Sequence, residues 1–261
     1  MPIYSKPVRA LVKDMANELA PIPESVFSKQ QAVNWFAKNY PKIKIGTVTA
    51  HLIRLSTNAS SRTHLSAKRG EDDVFYQLDG SHFRLYRPTQ DPAPVYTAHE
   101  PSDDSLASAK DDQDEGAASA SSGQFAYEAD LRNYLANNLS SIEPGLRLYE
   151  DEGITGTEFP VGGRFIDILA VDRHKNSVVI ELKVARGYDR VVGQLMRYMA
   201  WIRKNQADSD QRIRGIIVAR EISEDLLLAC SVVPDVELFE YQLSLSLKRV
   251  DDHRRRELSA H

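Results

Sequence analysis

Residues 164–185 read RFIDILAVDRHKNSVVIELKVA, and this stretch decides the fold of the C-terminal half of the chain. The runs 165–171 and 178–184 are rich in branched apolar residues, and the polar residues 174–177 between them favour a turn. The stretch therefore predicts a β-hairpin. Because side chains alternate along a strand, Glu181 and Lys183 share one face of the second run.

The predicted hairpin carries charges inside apolar strands. Asp167 lies between Ile166 and Ile168, in the strand next to that of Glu181. A charge in such a place is costly unless it has a partner, so the arrangement indicates a functional site. Two converging carboxylates suit Mg²⁺, which takes only one or two protein carboxylates, and we expect Mn²⁺ to substitute for it. Lys183 is then placed to orient a water molecule or to offset charge on a phosphate.

Four motifs together resemble the PD-(D/E)XK nuclease superfamily and, within it, the C-terminal nuclease domain of NucS/EndoMS-type endonucleases. The motifs are YEADLRNYLANNL (with Glu128), GGRFIDILAVD (Asp167), VVIELKVARG (Glu181 and Lys183) and VVGQLMRYMAWI (Gln194 and Tyr198). The resemblance covers roughly residues 125–247 and implies a restriction-endonuclease-like mixed sheet flanked by helices. The resemblance implies that the domain hydrolyses phosphodiester bonds in DNA. It implies the metal ligands Asp167, Glu181 and Glu128 and the catalytic lysine Lys183. It also implies that Gln194 and Tyr198 brace the active site or contact DNA.

The chain also departs from this family. Ile166 replaces the nominal proline of the motif, which is a common variation in the superfamily. The N-terminal part is unlike the β-rich domain of NucS-type enzymes, so their mismatch specificity is not carried over. The rest of the C-terminal half agrees with the family core, with a helix predicted at 191–204, a strand at 213–219, a capped helix at 223–229 and a terminal strand at 236–247.

The composition is that of a globular protein, with 42% apolar and 27% charged residues in a chain of 261. Residues 1–13 lack the apolar run of a signal peptide and no segment approaches a transmembrane length, so we expect a cytoplasmic location and no membrane partner. The single cysteine, Cys230, excludes an internal disulfide and is predicted to be a core residue. We expect no small-molecule organic cofactor.

The charges are unevenly distributed along the chain. Residues 1–97 carry a net charge of +5, residues 98–123 of −6 and residues 124–261 of −3. The middle segment consists mainly of Ser, Ala, Asp and Glu and cannot bury enough apolar surface to become ordered. The chain is therefore predicted to comprise an N-terminal domain (1–97), a flexible acidic linker (98–123), a nuclease domain (124–250) and a polar tail (251–261).

The N-terminal domain is predicted to be a small α+β winged helix. Helices are expected at 8–19, at 29–39 with Ser28 as the cap, and from Gly46 or Thr47 onward. Two β-rich runs around Asp79-Gly80 then indicate a hairpin. The segment KNYPKIKIGTVTAHLIRLSTNASSR also resembles a small winged-helix-like family found beside nuclease domains in bacterial defence proteins.

The third helix is predicted to face DNA. Its apolar residues Val48, Leu52 and Leu55 fall on one side, which leaves a polar row free to enter a major groove. Nearby basic residues would bind phosphates. The candidate DNA contacts are Lys44, Thr47, Thr49, His51, Arg54, Asn58, Arg62, Lys68, Arg69 and Arg84. The alternative is a solvated basic face on a protein-binding domain.

These observations predict a metal-dependent DNA endonuclease whose winged helix holds the site while a tethered domain cuts. A restriction-type or modification-dependent defence enzyme is the first expectation, and a repair endonuclease is the second. A non-catalytic DNA-binding regulator with a nuclease-like dimerisation domain is the rival from another class. Cutting both strands would need two active sites, which a homodimer would supply.

Overall fold

The computed structural model describes residues 4–96, 122–183 and 189–242. The predicted linker falls almost entirely outside the described residues, as do the end of the predicted terminal strand and the whole polar tail. Within the described ranges, no helix combines the length and the apolar character needed to cross a membrane.

The N-terminal part consists of three helices and a three-stranded sheet. Its elements are α1 (Val8–Leu19), β1 (Val26–Ser28), α2 (Lys29–Asn39), α3 (Ile45–Arg54), a 3-10 helix (Ser60–Leu65), β2 (Phe75–Gln77) and β3 (His82–Leu85). The strands are antiparallel in the order β1-β3-β2. The predicted helices and hairpin are thus confirmed as elements, whereas their assignment to the winged-helix class stays a prediction.

Local signals explain these elements. Ser28 starts α2 with a capping box, in which its side chain accepts from the Gln31 N–H and the Gln31 side chain accepts from the Ser28 N–H. The rings of Phe27, Phe75 and Phe83, each from a different strand, meet in the core between the sheet and the helices. Their contact fixes the sheet against α1 and α2.

The C-terminal part is an α/β domain. Its elements are α4 (Ser122–Asn137), a 3-10 helix (Leu139–Ser141), β4 (Arg147–Leu148), β5 (Glu150–Asp151), β6 (Ile154–Thr155), β7 (Thr157–Val161), β8 (Arg164–Val171), β9 (Ser177–Lys183), α5 (Asp189–Asn205), β10 (Ile213–Ala219), α6 (Glu224–Ser231) and β11 (Val236–Glu240). Six strands form one mixed sheet in the order β11-β10-β9-β8-β4, with β7 also paired to β8. The pairs β9-β10 and β10-β11 are parallel, and the others are antiparallel.

The predicted hairpin forms the centre of this sheet as β8 and β9. One face packs against α4 through residues such as Ile180 and Leu182. The other packs against α5 through Leu195 and Tyr198. Cys230 is buried on α6, which confirms its prediction as a core residue.

Helix α3 lies between the two parts of the chain. Ala50 from α3 and Leu65 from the following 3-10 helix belong to the same apolar cluster as Phe159 and Tyr198 of the C-terminal part. Polar contacts add to this interface. Arg54 Nη1 donates to the Gly153 carbonyl at 2.8 Å.

The outward-facing row predicted on α3 is wrong. Thr47, Thr49, His51 and Arg54 are all buried. The Thr47 hydroxyl donates to Asp151 at 2.7 Å, and burial lowers the pKa of His51 to about 3, which leaves that ring neutral. The prediction failed because the periodicity identified the apolar side of the helix, whereas the polar side is covered by the C-terminal domain.

Candidate active site

The candidate site opens where the ladder between β8 and β9 stops. Its last paired residues are Ile168 and Ile180, and the next residues on the two strands are Asp167 and Glu181. Past this point the Asp167 side chain accepts the Leu182 N–H, with 2.9 Å between Leu182 N and Asp167 Oδ2. The two carboxylates therefore stand at the point where the strands separate.

Asp167 is held in a mostly buried, crowded acidic environment. Burial raises its pKa to about 6, and the Glu128 and Glu158 carboxylates add to the rise. The hydrogen bond from Leu182 and the charge of Arg132 oppose it. The Asp167 carboxylate is thus less stable as an anion than an exposed aspartate, and an additional cation would favour its ionised form.

Glu181 is buried on the face of β9 that meets α5. Its Oε2 accepts from Gln194 Nε2 at 2.8 Å. Burial and the neighbouring Asp167 carboxylate raise the pKa of Glu181 well above its ordinary value, and Lys183 opposes the rise. Among the described residues, nothing hydrogen-bonds to the buried Glu181 Oε1.

Helix α5 holds Glu181 through the predicted pair Gln194 and Tyr198. Their spacing of four places both side chains on one face of the helix, and Gln194 Nε2 lies 3.3 Å from the Tyr198 hydroxyl. Tyr198 is buried, and burial together with the Glu181 charge raises its pKa to about 12. The pair therefore presents a neutral amide and a neutral phenol to the carboxylate.

The remaining two predicted site residues also lie at this place. Lys183 ends β9 and is half-buried, and its charge acts on Glu181. Glu128 is half-buried on α4, and its charge acts on both Asp167 and Glu181. All six residues predicted from the motifs are thus brought to one region of the sheet.

Three further charged or titratable residues, which were not predicted as site residues, form a chain of contacts that reaches Asp167. Arg132 of α4 places Nη2 at 2.9 Å from Glu158 Oε1 and Nη1 at 3.7 Å from Asp167 Oδ1. The other Glu158 oxygen contacts Nδ1 of His64, which comes from the N-terminal part. Arg132 follows Glu128 by four residues, so a shared helix face was a signal in the sequence. Glu158 and His64 had no such signal.

The arrangement fits a divalent cation. A buried oxygen without a partner is costly, and Glu181 Oε1 is one. Burial and the neighbouring carboxylates raise the pKa values of both acids, so a bound cation would favour their ionised forms. Within the described ranges, no three His, Cys, Asp or Glu side chains form a cluster that would hold a metal unaided. Mg²⁺ keeps several waters and takes one or two carboxylates, so Asp167 and Glu181 suit it, while direct ligation by Glu128 stays a prediction.

Most of the other predicted DNA contacts have partners within the protein. Arg62 is fully buried with Asp73, Arg84 pairs with Asp91, and the Asn58 side chain bonds the Gln77 main chain. Lys44 contacts Asp208 of the C-terminal part.

Two of those basic residues remain on the surface. Lys68 is exposed, and the exposed Arg69 lies over the Tyr96 ring at 4.6 Å. Contact of these two residues with DNA stays a prediction.

Fold and site together define the C-terminal part as a restriction-endonuclease-like α/β domain with a paired-carboxylate site. Residues 127–237 match the family model of the endonuclease NucS C-terminal domain. The resemblance predicted from the motifs is thereby confirmed for this domain. Residues 7–85 match a family described as a domain of unknown function (DUF7669).

Residues of the chain are also similar to individual known proteins. Endonuclease NucS 2 of Halobacterium salinarum is 34% identical over 113 residues, 43% of this chain and 40% of that protein. Endonuclease NucS of Pyrococcus furiosus is 31% identical over 98 residues, 37% of this chain and 33% of that protein. The chain therefore spans about a third to two fifths of the length of these relatives. The crystal structure of a repair endonuclease from Pyrococcus abyssi is 25% identical, with a TM-score of 0.37, covering 44% of this chain and 46% of that one.

Proposed function

We propose that this protein is a DNA endonuclease that depends on a divalent metal ion, Mg²⁺ or Mn²⁺. The observation that carries the proposal is the pair Asp167 and Glu181, two carboxylates at the separation of β8 and β9, one of which has a buried oxygen without a partner. The similarity of residues 127–237 to the endonuclease NucS C-terminal domain supports the same activity.

The proposed roles follow from the contacts. Asp167 and Glu181 would hold the ion, which when bound polarises the scissile phosphate and lowers the pKa of water. The Leu182 N–H orients Asp167, and Gln194 orients Glu181. Lys183 is proposed to hold the attacking water near the phosphate and to offset the negative charge that builds up there.

Cleavage assays on plasmid DNA test the proposal. We expect wild-type protein to cut with Mg²⁺ or Mn²⁺ and not in EDTA. Asp167→Ala, Glu181→Ala and Lys183→Ala should each lower the rate by at least about a hundredfold, because each removes charge from the reacting centre. Lys175→Ala is the matched control, since Lys175 is exposed in the turn of the same hairpin. An Asp167→Ala variant that cuts as fast as wild type would refute the proposal.

The proposed activity is compatible with two classes of DNA substrate, one typical of repair and one typical of defence. The relatives carry the name endonuclease NucS and give no support to a restriction system. The defence hypothesis also relied on a recognition helix free to move on a tether, whereas α3 is buried against the nuclease domain. We therefore propose a repair-type substrate first and a modification-dependent one second. Duplexes with mismatched or damaged bases, compared with DNA propagated with and without base modification, distinguish the two.

The rival hypothesis is a DNA-binding regulator without catalysis. Against it stands the cost of keeping two carboxylates with raised pKa values side by side, which a purely structural domain has no reason to retain. DNA binding that ignores EDTA, with no strand scission on any of the substrates, would favour the regulator.

A further inference from the structure

Arg132 stands closer to Glu158 than to Asp167. The 2.9 Å between Arg132 Nη2 and Glu158 Oε1 is the length of a charge-assisted hydrogen bond, whereas the 3.7 Å to Asp167 Oδ1 is too long for one. All three side chains are at least four-fifths buried. The guanidinium is therefore bound by Glu158 and only faces the Asp167 carboxylate.

Glu158 occupies an unusual place in β7. Its neighbours Thr157 and Phe159 pair with Ile168 and Ile166 of β8, so Glu158 falls opposite Asp167. Its φ of +48° is in the left-handed region, which is unfavourable for a residue with a Cβ. The surrounding structure thus maintains a strained residue directly beside a proposed metal ligand.

The second oxygen of Glu158 is held from outside the nuclease domain. His64 lies on the 3-10 helix Ser60–Leu65 of the N-terminal part, and its Nδ1 contacts Glu158 Oε2. The His64 ring also lies 6.1 Å from the Phe165 ring of β8. A chain of contacts therefore runs from the N-terminal part through Glu158 and Arg132 to the edge of the candidate site.

A guanidinium and a divalent cation compete for the same carboxylate oxygen. If Glu158 released Arg132, the guanidinium could advance by less than 1 Å to hydrogen-bond Asp167 Oδ1. We infer that Glu158, held by His64 of the N-terminal part, keeps Arg132 off Asp167, so that docking of the N-terminal part sets the cation affinity of the site. This inference rests on the proposed function, since it takes Asp167 as a metal ligand.

Calorimetric titration of the full chain with Mn²⁺ tests the inference. Glu158→Gln should weaken Mn²⁺ binding by about tenfold, the range seen when residues behind a metal ligand are changed, because Arg132 closes onto Asp167. The double variant Arg132→Gln/Glu158→Gln should bind Mn²⁺ as tightly as Arg132→Gln alone, since the competing cation is gone. A merely structural role of Glu158 would weaken binding in both backgrounds.

The contact across the domain interface has its own test. His64→Ala should weaken Mn²⁺ binding in the same direction as Glu158→Gln but less, and should have no effect in the Arg132→Gln background. His174→Ala is the matched control, because His174 is exposed in the turn between β8 and β9. The His64 variants also keep the inference testable if Glu158→Gln does not fold.

The outcomes separate the inference from the proposed function. Wild type and Glu158→Gln with equal Mn²⁺ affinity would overturn the inference and leave the proposed function intact. So would a loss of affinity that persists in the double variant. Wild-type protein that binds no Mn²⁺, or whose binding survives Asp167→Ala, would overturn both.

Discussion

At the scale of single residues, the raised pKa of Asp167 has a consequence for stability. A carboxyl whose pKa is about 6 in the folded protein, against 3.8 ordinarily, holds its proton more tightly when folded. The free energy of unfolding of the metal-free protein therefore falls as pH rises from about 4 to about 6, and the full penalty is present above that.

Asp167→Asn should remove this penalty. At about pH 8 and without metal, we expect it to raise the free energy of unfolding by about 1 to 3 kcal/mol, because the amide accepts the Leu182 N–H without a charge. At about pH 4 the gain should vanish. Thermal unfolding across this pH range measures the effect, and the same variant should abolish Mn²⁺ binding.

Asp172 provides a matched control in the same hairpin. Burial raises its pKa, but hydrogen bonds from Asn176 and His174 outweigh burial and lower the pKa overall. Asp172→Asn should therefore destabilise the protein at about pH 8, the opposite sign. A stabilising effect of both substitutions, or of neither, would contradict the electrostatic account of Asp167.

The site residues differ in how far the amino-acid sequence alone reveals them. Asp167, Glu181 and Lys183 were predictable because a charged residue inside an apolar β-type run can be recognised from the amino-acid sequence alone. Arg132 was within reach as the residue one helical turn after Glu128. Glu158 was not, because its position depends on a left-handed φ inside a strand, and His64 was not, because it arrives from another domain.

At the scale of elements, α3 shows what periodicity cannot reveal. The helix α1 and the strand β10 were predicted with the bounds that the structure has, since α1 buries the side that its pattern marks as apolar and the apolar run of β10 is buried on both faces. Helix α3 buries eight of its ten residues, the polar ones among them. The sequence pattern identified the side of α3 that packs against the N-terminal core. It did not indicate that the C-terminal part covers the other side.

The α3 interface yields a prediction for Thr47. Its Oγ1 donates to Asp151 at 2.7 Å and accepts from Gln206 Nε2 at 3.3 Å, both in the C-terminal part. Thr47→Val keeps the shape but removes both hydrogen bonds across the interface, at a cost of about 1 to 3 kcal/mol. We expect partial separation of the two parts, measured as a larger radius of gyration in X-ray scattering.

Thr57→Val is the control for this change. Thr57 is equally buried, but its hydroxyl donates to the Phe75 carbonyl within the N-terminal part. Its substitution should lower the melting temperature without increasing the radius of gyration. If the two variants gave the same scattering curve as wild type, Thr47 would not be holding the interface.

At the scale of the whole molecule, the shared core predicts cooperative unfolding. One apolar cluster includes residues of the N-terminal part, such as Ala50 and Leu65, and residues of the mixed sheet, such as Phe159 and Val161. Separating the parts would expose this cluster to water. Differential scanning calorimetry should therefore show a single transition with equal calorimetric and van't Hoff enthalpies. Two resolved transitions would mean that the parts unfold independently.

The burial of α3 also has a consequence for where a cut would fall. A nuclease on a loose tether reaches many positions along a duplex, and its products would scatter in length. Arg54 and Thr47 hydrogen-bond to the C-terminal part. If the N-terminal part binds DNA, the bound position would therefore lie at a constant distance from Asp167 and Glu181. The cleavage position would then lie at a fixed distance from the part of the DNA that the N-terminal part binds. Sequencing of the product ends would measure this distance.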